Sequence, residues 1–404
     1  MRRRVCFVLC VGTLAALARS ARVRLLLGCA VAAALLRAAP AAAIERNFAG
    51  SAQLDYLFVP DATSGPAGRD VYDGFTTEVA LKVAADVSDH LSANVKVCYG
   101  CHGFELPMAY VDYRVADELS FRIGRFSPSF GAFNIRHDPA NHATSDKPLP
   151  YDMGRMLRLT EWNLGVLPSP FPDNGVEIDG THWFGERAQL DYAVYAVSGF
   201  RAPTGAIDLN WMQSQTRGGN MIDNNGRPTG GARVAGTFRF GDANDLTVGG
   251  SVMFGTWDPA NNYTYLIAGG DVAARIGRTQ LRLEYLMRRQ TFPADPTVPF
   301  KLPVPASGVD QFEKHGAYLE VERSMTETVT LLLRADGLYR AGNNLASSPL
   351  ATRAAVFRYT AGGTLAIAPG LRLKASGELW AFSNDVPSHQ DLELAFHLSL
   401  VGTF

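Results

Sequence analysis

The last thirteen residues of the chain constrain its fold more than any other segment. Leu392, Leu394, Phe396, Leu398, Leu400 and Phe404 share one face of an extended strand, with Gly402 completing the row. Glu393, Ala395, His397, Ser399 and Thr403 share the other. Successive side chains of a strand point to opposite faces, so this period of two makes one face apolar and the other polar. A helix would scatter the same residues around its circumference.

The pattern recurs upstream. Leu371, Leu373, Ala375 and Leu379 alternate with Arg372, Lys374, Ser376 and Glu378. Val329, Leu331, Leu333, Ala335 and Tyr339 alternate with Thr328, Thr330, Arg334 and Asp336. Ala109, Val111, Tyr113 and Val115 alternate with Tyr110, Asp112 and Arg114. No stretch after residue 43 has a sustained 3.6-residue period. Dividing the chain on this basis predicts about sixteen strands of roughly 9–14 residues, the length of a tilted membrane strand. Short connections fall near 88–90, 116–118, 185–187, 241–245, 277–278, 324–327 and 369–370. Longer ones fall near 61–73, 130–173, 200–229, 293–309, 341–352 and 384–390. Short turns on one rim and long loops on the other define an all-β, transmembrane, antiparallel up-and-down β-barrel with periplasmic turns and extracellular loops. A soluble β-sandwich shares the alternation. The rim asymmetry, the leader described next and the aromatic C-terminus favour the membrane.

Residues 1–43 carry seven arginines, no acidic residue and the apolar runs Val5–Ala18 and Leu25–Leu36. Neither run reaches the roughly 20 residues of a spanning helix, and Ala38–Ala43 suits signal peptidase. The expectation is a signal peptide over 1–43 and an outer-membrane barrel over 44–404. Removing the leader leaves 31 of the 38 basic residues against all 39 acidic ones, a net charge of −8. That balance excludes a polybasic nucleic-acid binder. No glycine-rich phosphate loop, nucleophile elbow or metalloprotease helix occurs, so no enzyme is expected.

Of five cysteines only Cys98 and Cys101 follow the leader, and they stand in Cys98-Tyr99-Gly100-Cys101-His102. This is the c-type haem attachment pattern: two thiols form thioethers to the haem vinyl groups, and the adjacent imidazole ligates iron. The spacing also allows a disulfide in an oxidising compartment. A metal site of two thiolates and one imidazole would need a fourth ligand. Val95 and Val97 should face lipid, which turns Asn94, Lys96 and Cys98 inward, with Gly100 and Gly103 bending the chain at the rim. Candidate distal ligands lie in the longest loop: His137 and His142 first, then Met153 and Met156. Arg136 and Arg155 are candidate propionate partners, and Asp138 could orient His137. The same loop reads equally as a constriction folded into a pore.

The hairpin Ala109–Arg114, Ala116-Asp117-Glu118, Leu119–Phe126 with Ser129-Phe130-Gly131, and the later Leu164–Pro168 and Asp173–Val176, resemble the phosphate-selective-porin-like barrels. That resemblance implies a porin fold and a general porin role. The terminal Phe404 resembles the signal by which the barrel-assembly machinery recognises its clients. The expected function is electron transfer at or across the outer membrane through one covalent haem c. The alternative is a passive diffusion porin whose Cys98 and Cys101 form a disulfide. Expected partners are outer-membrane lipid, small solutes in the lumen, periplasmic or extracellular cytochromes and, for a porin build, a homotrimer.

Overall fold

The computed structural model describes residues 45–60, 74–100, 103–152, 165–167, 169–201, 223–291, 311–342, 353–383 and 392–404. The expected leader, and Cys101, His102, Met153, Arg155 and Met156, lie outside them. Sixteen strands occur among the described residues. They are β1 (Glu45–Phe58), β2 (Gly74–Ser88), β3 (Leu91–Gly100), β4 (Gly103–Ala116), β5 (Leu119–Phe126), β6 (Asp173–Phe184), β7 (Ala188–Val197) and β8 (Thr229–Gly241). The second half comprises β9 (Asn244–Thr256), β10 (Thr264–Ile276), β11 (Thr279–Thr291), β12 (Gln311–Ser324), β13 (Val329–Gly342), β14 (Arg353–Ala368), β15 (Leu371–Ser383) and β16 (Leu392–Thr403).

Each strand pairs antiparallel with its sequence neighbours, and β1 pairs with β16 to close the barrel. Closure leaves no open edge, the condition for strands to cross hydrocarbon. Strand lengths run from 8 residues in β5 to 16 in β14, a wider spread than the alternation suggested. The connections on one rim are two to four residues long, and Gly277 and Gly370 turn there with φ of 57° and 74°, which only glycine adopts freely. The opposite rim carries the long loops but is not uniform. Only two residues join β3 to β4, and only 257–263 joins β9 to β10.

Burial follows the period-two reading. Along β16 the apolar row from Leu392 to Leu400 is 41–59% exposed, while Glu393, Ala395, His397 and Ser399 are 1–6% exposed. An apolar surface of this extent needs lipid around it. Tyr56, Phe75, Tyr99, Phe104 and Tyr339 ring the long-loop side of that surface; Phe48, Tyr113, Phe184, Phe238 and Phe404 ring the short-turn side. These are the interfacial girdles of a membrane barrel.

Phe404 also closes the seam. Gly50 N–H donates to Phe404 O at 3.0 Å and Phe404 N–H to Gly50 O at 3.1 Å. The Phe404 ring covers the place a Cβ on Gly50 would take. Deleting Phe404, or introducing Gly50→Val, is expected to lower the fraction of chain that migrates as a heat-modifiable folded barrel on SDS gels. An unchanged fraction in both variants would count against this seam contact.

The described parts of the connection between β5 and β6, residues 127–152, 165–167 and 169–172, fold into the barrel. They contain single 3-10 turns at Asn134–Arg136, Pro139–Asn141 and Leu149–Tyr151. Their Phe130, Phe133, Leu149, Tyr151, Val166, Leu167 and Phe171 are 0–1% exposed and pack on Tyr195, Met253, Tyr265, Leu286, Tyr318 and Val356 of the wall. The hydrophobic core therefore lies inside the lumen, between this loop and the wall.

Candidate functional site

Cys98 sits on the inner face of β3, as the alternation requires. It pairs with Ala80, a buried inward residue, while its neighbours Val95 and Tyr99 face outward, 45% and 60% exposed. On the other side Lys96 pairs with Met108 but Cys98 with Glu105, so β4 holds one extra residue at Leu106-Pro107. Proline has no N–H for the ladder, and a bulge absorbs it. The charged groups acting on the Cys98 thiol are Lys96, Asp138, Glu78 and Glu105. Gly100 and Gly103 form the last ladder pair, which leaves Cys101-His102 as the connection itself.

The loop crosses the lumen beside this hairpin. Asp138 forms an ion pair with the Lys96 ammonium, two positions below Cys98 on the same face. Arg136 points the other way, its guanidinium 3.6 Å from Glu320 of β12 and 5.4 Å from the centre of the Phe133 ring. His137 Nδ1–H donates to Asn134 O at 2.7 Å, and its Nε2 lies 3.2 Å from Asp138 Oδ1. Burial holds this imidazole neutral, at about 4. With Nδ1–H donating, the Nε2 lone pair of the neutral ring faces Asp138 Oδ1, which covers that nitrogen without accepting a hydrogen bond from it. His142 differs. Its Nδ1–H donates to Thr144 O at 2.8 Å, and its buried Nε2 meets no hydrogen-bond partner among the described residues. Burial, then Lys374, Lys147, Arg136 and Arg334, push it well below the ordinary histidine range. A neutral ring with one free lone pair results. It lies toward β13 and β15, because Thr144 also accepts from Lys374 through its carbonyl and from Arg334 through its hydroxyl. The fold brings Cys98, Lys96, Asp138 and His137 into one neighbourhood; Arg136 and His142 are seated against other strands.

Four carboxylates hold the loop in place. Glu177 of β6 accepts from Ser129 N–H at 2.7 Å and from Arg122 at 2.8 Å. Glu284 of β11 accepts from Ala132 N–H at 2.8 Å, Tyr318 OH at 3.0 Å and the Tyr151 hydroxyl. Asp336 of β13 accepts from Leu149 N–H at 3.1 Å. Asp146, from the loop, sits between Arg334 at 2.5 Å and Arg358, and all three side chains are 0–1% exposed. Burial alone would raise the Asp146 carboxyl, but the two guanidiniums outweigh it and hold it far below the usual range. The inward parity of Arg334 and Asp336 was visible in the sequence. Their engagement with Asp146 was not, since nothing in a single sequence pairs a loop residue with a strand two hundred positions away.

A separate open cavity lies at the short-turn rim, inside β1–β6, lined by Glu45, Asp86, Asp112, Arg114, Arg122 and Asp179 among others. Arg122 Nε donates to Asp112 Oδ1 at 2.8 Å, with its guanidinium 4.9 Å from the centre of the Tyr110 ring.

A closed sixteen-strand antiparallel barrel, apolar outside, polar within and with a loop folded into its lumen, has the build of an outer-membrane porin. Solved structures agree. The outer-membrane channel DcaP of Acinetobacter baumannii is similar with a TM-score of 0.57 at 12% identity, over 90% of this chain and 99% of that one. An anion-selective porin from Comamonas acidovorans is similar at 0.53 and 11%, over 89% and 100%. OmpF of Salmonella typhi, solved with daunomycin, is similar at 0.53 and 11%, over 89% and 98%. At such identities the likeness concerns the fold. A scan against protein-family models and a search of curated proteins find no match.

Proposed function

We propose that this barrel carries one covalent haem c on the β3–β4 hairpin and serves electron transfer at the outer membrane. One observation carries the reading: Cys98, the first thiol of the attachment motif, is turned into the lumen at the end of β3. A group bonded there is directed away from lipid, into a space that exported proteins can load. Cys98 and Cys101 would supply the thioethers and His102 the axial imidazole, and the haem so held supplies one-electron exchange. Among the loop histidines, His142 Nε2 meets no partner among the described residues but lies toward β13 and β15, whereas His137 lies in the Cys98 neighbourhood with its Nε2 covered by Asp138. Met153, Met156 and the propionate candidate Arg155 belong to the same proposal. A single haem cannot cross a hydrocarbon core of about 30 Å, so periplasmic or extracellular cytochromes are its partners. The test is a pyridine haemochrome spectrum of protein purified from a host competent in cytochrome c maturation; absence of covalent haem there sinks the reading.

A second reading is favoured by the open, charge-lined cavity of the short-turn rim: passive diffusion of small solutes, with Cys98 and Cys101 joined as a disulfide. Conductance in planar bilayers tests the passage, and thiol alkylation followed by mass measurement tests the disulfide.

A further inference from the structure

We infer that the aqueous path of this barrel prefers small cations to anions, and that Asp86 and Asp179 set that preference; the inference rests on the solute-passage reading. The argument begins with which charges water can reach. On the β11–β15 wall the basic side chains Arg288, Arg334 and Arg358 are 0–3% exposed. Arg334 and Arg358 are occupied by Asp146 and Asp336, and Arg288 donates to Val166 O of the loop. The seated loop thus withdraws these arginines from solvent together with Glu284, Glu320, Asp336 and Glu378 of the same wall, leaving the sign of the water-accessible charge to the rest of the lumen.

The cavity at the short-turn rim carries an acidic excess. It is lined by the carboxylates Glu45, Asp86, Asp89, Asp112 and Asp179 against Arg114 and Arg122, with His90 beside them. Arg122 is already neutralised, donating to Asp112 at 2.8 Å and to Glu177 at 2.8 Å. Glu45 and Asp86 stand directly opposite each other across β1 and β2, an arrangement that costs free energy without a counter-ion. Asp179 Oδ2 is buried and accepts no hydrogen bond among the described residues. An excess of carboxylates lining an aqueous opening concentrates cations and repels anions. The Comamonas porin shares this fold and is anion-selective, so the fold does not decide the sign; the charges on this lumen do.

The test is the zero-current potential of the purified, folded barrel in a planar bilayer under a tenfold KCl gradient. A potential of the sign for potassium preference is expected, shrinking toward zero in Asp86→Asn/Asp179→Asn and in high salt, where screening is shorter-ranged. Neither substitution removes a partner that holds Arg122 or the loop, and heat-modifiable migration checks the fold. Chloride preference, or a potassium preference unmoved by the double substitution, overturns the inference while leaving passage in place. A folded barrel with no conductance overturns the passage reading itself, and the inference with it.

Discussion

Asp146→Ala is expected to release the middle of the 127–172 loop from the lumen while the barrel wall stays closed. The substitution leaves Arg334 and Arg358 buried with only the strand carboxylates Asp336, Glu320 and Glu378 to share. Removing one partner of a buried ion pair costs up to about 3–5 kcal/mol, less here because those strand carboxylates remain, and the loop itself loses both guanidinium contacts that hold Asp146. The loop can escape that cost by leaving, since no wall strand depends on it: each is bonded to its two neighbours around a closed ring. The expected readouts are several-fold higher single-channel conductance, new protease cleavage within the loop, and unchanged heat-modifiable migration. An unaltered conductance and an uncut loop would falsify the assignment of Asp146 as its anchor. The pH dependence follows from the depressed carboxyl. A group whose folded value lies below its unfolded one stabilises fully above the ordinary carboxylate range and loses that contribution only as pH falls through the folded value. The loop should therefore stay seated through mildly acidic conditions, with conductance flat from neutral pH down to the usual carboxylate range.

The wall of this protein was legible in its sequence because period two is a local property. Each of Leu392–Leu400 reports its own face, and the short-turn rim follows from where the alternation breaks. The lumenal orientation of Cys98 was legible for the same reason, through Val95 and Val97 on the opposite parity. The interior was not. Its core is assembled from Phe130, Phe133, Tyr151 and Phe171 of one loop, and a loop lacks the regular period that would say which way each side chain points. His137 and His142 looked equivalent as sequence, each an imidazole a few positions along the same segment. Only the fold separates them, by giving Asn134 O and Asp138 to one and a single acceptor, Thr144 O, to the other. Arg136 had the charge for a propionate, but Glu320 of β12 lies across the lumen and takes its guanidinium. Charge type is written in the residue; charge partnership is set by the chain's return path.

The cysteines carry the other large effect. In a host that matures c-type cytochromes, Cys98→Ser/Cys101→Ser is expected to abolish covalent haem completely, and His102→Ala to remove the proximal imidazole signature from whatever haem remains. The two cysteines are not equivalent in the fold. Cys98 is fixed in the ladder between Ala80 and Glu105, whereas Cys101 belongs to the two-residue connection beyond Gly100. Cys98→Ser alone should therefore lower attachment strongly, since the ladder pre-orients this thiol toward the lumen. Unchanged attachment in that single variant would remove this role, and covalent haem persisting in the double variant would remove the assignment. The loop then separates the second ligand: His142→Ala should convert the spectrum from low to high spin, and imidazole added to the solution should restore it. His137→Ala should leave the spectrum unchanged, because its Nδ1 is held by Asn134 O and its Nε2 is covered by the Asp138 carboxylate. A spectrum that follows His137 and ignores His142 would mean that the loop is rebuilt around the haem, and that the Lys96–Asp138 ion pair breaks when the group is attached.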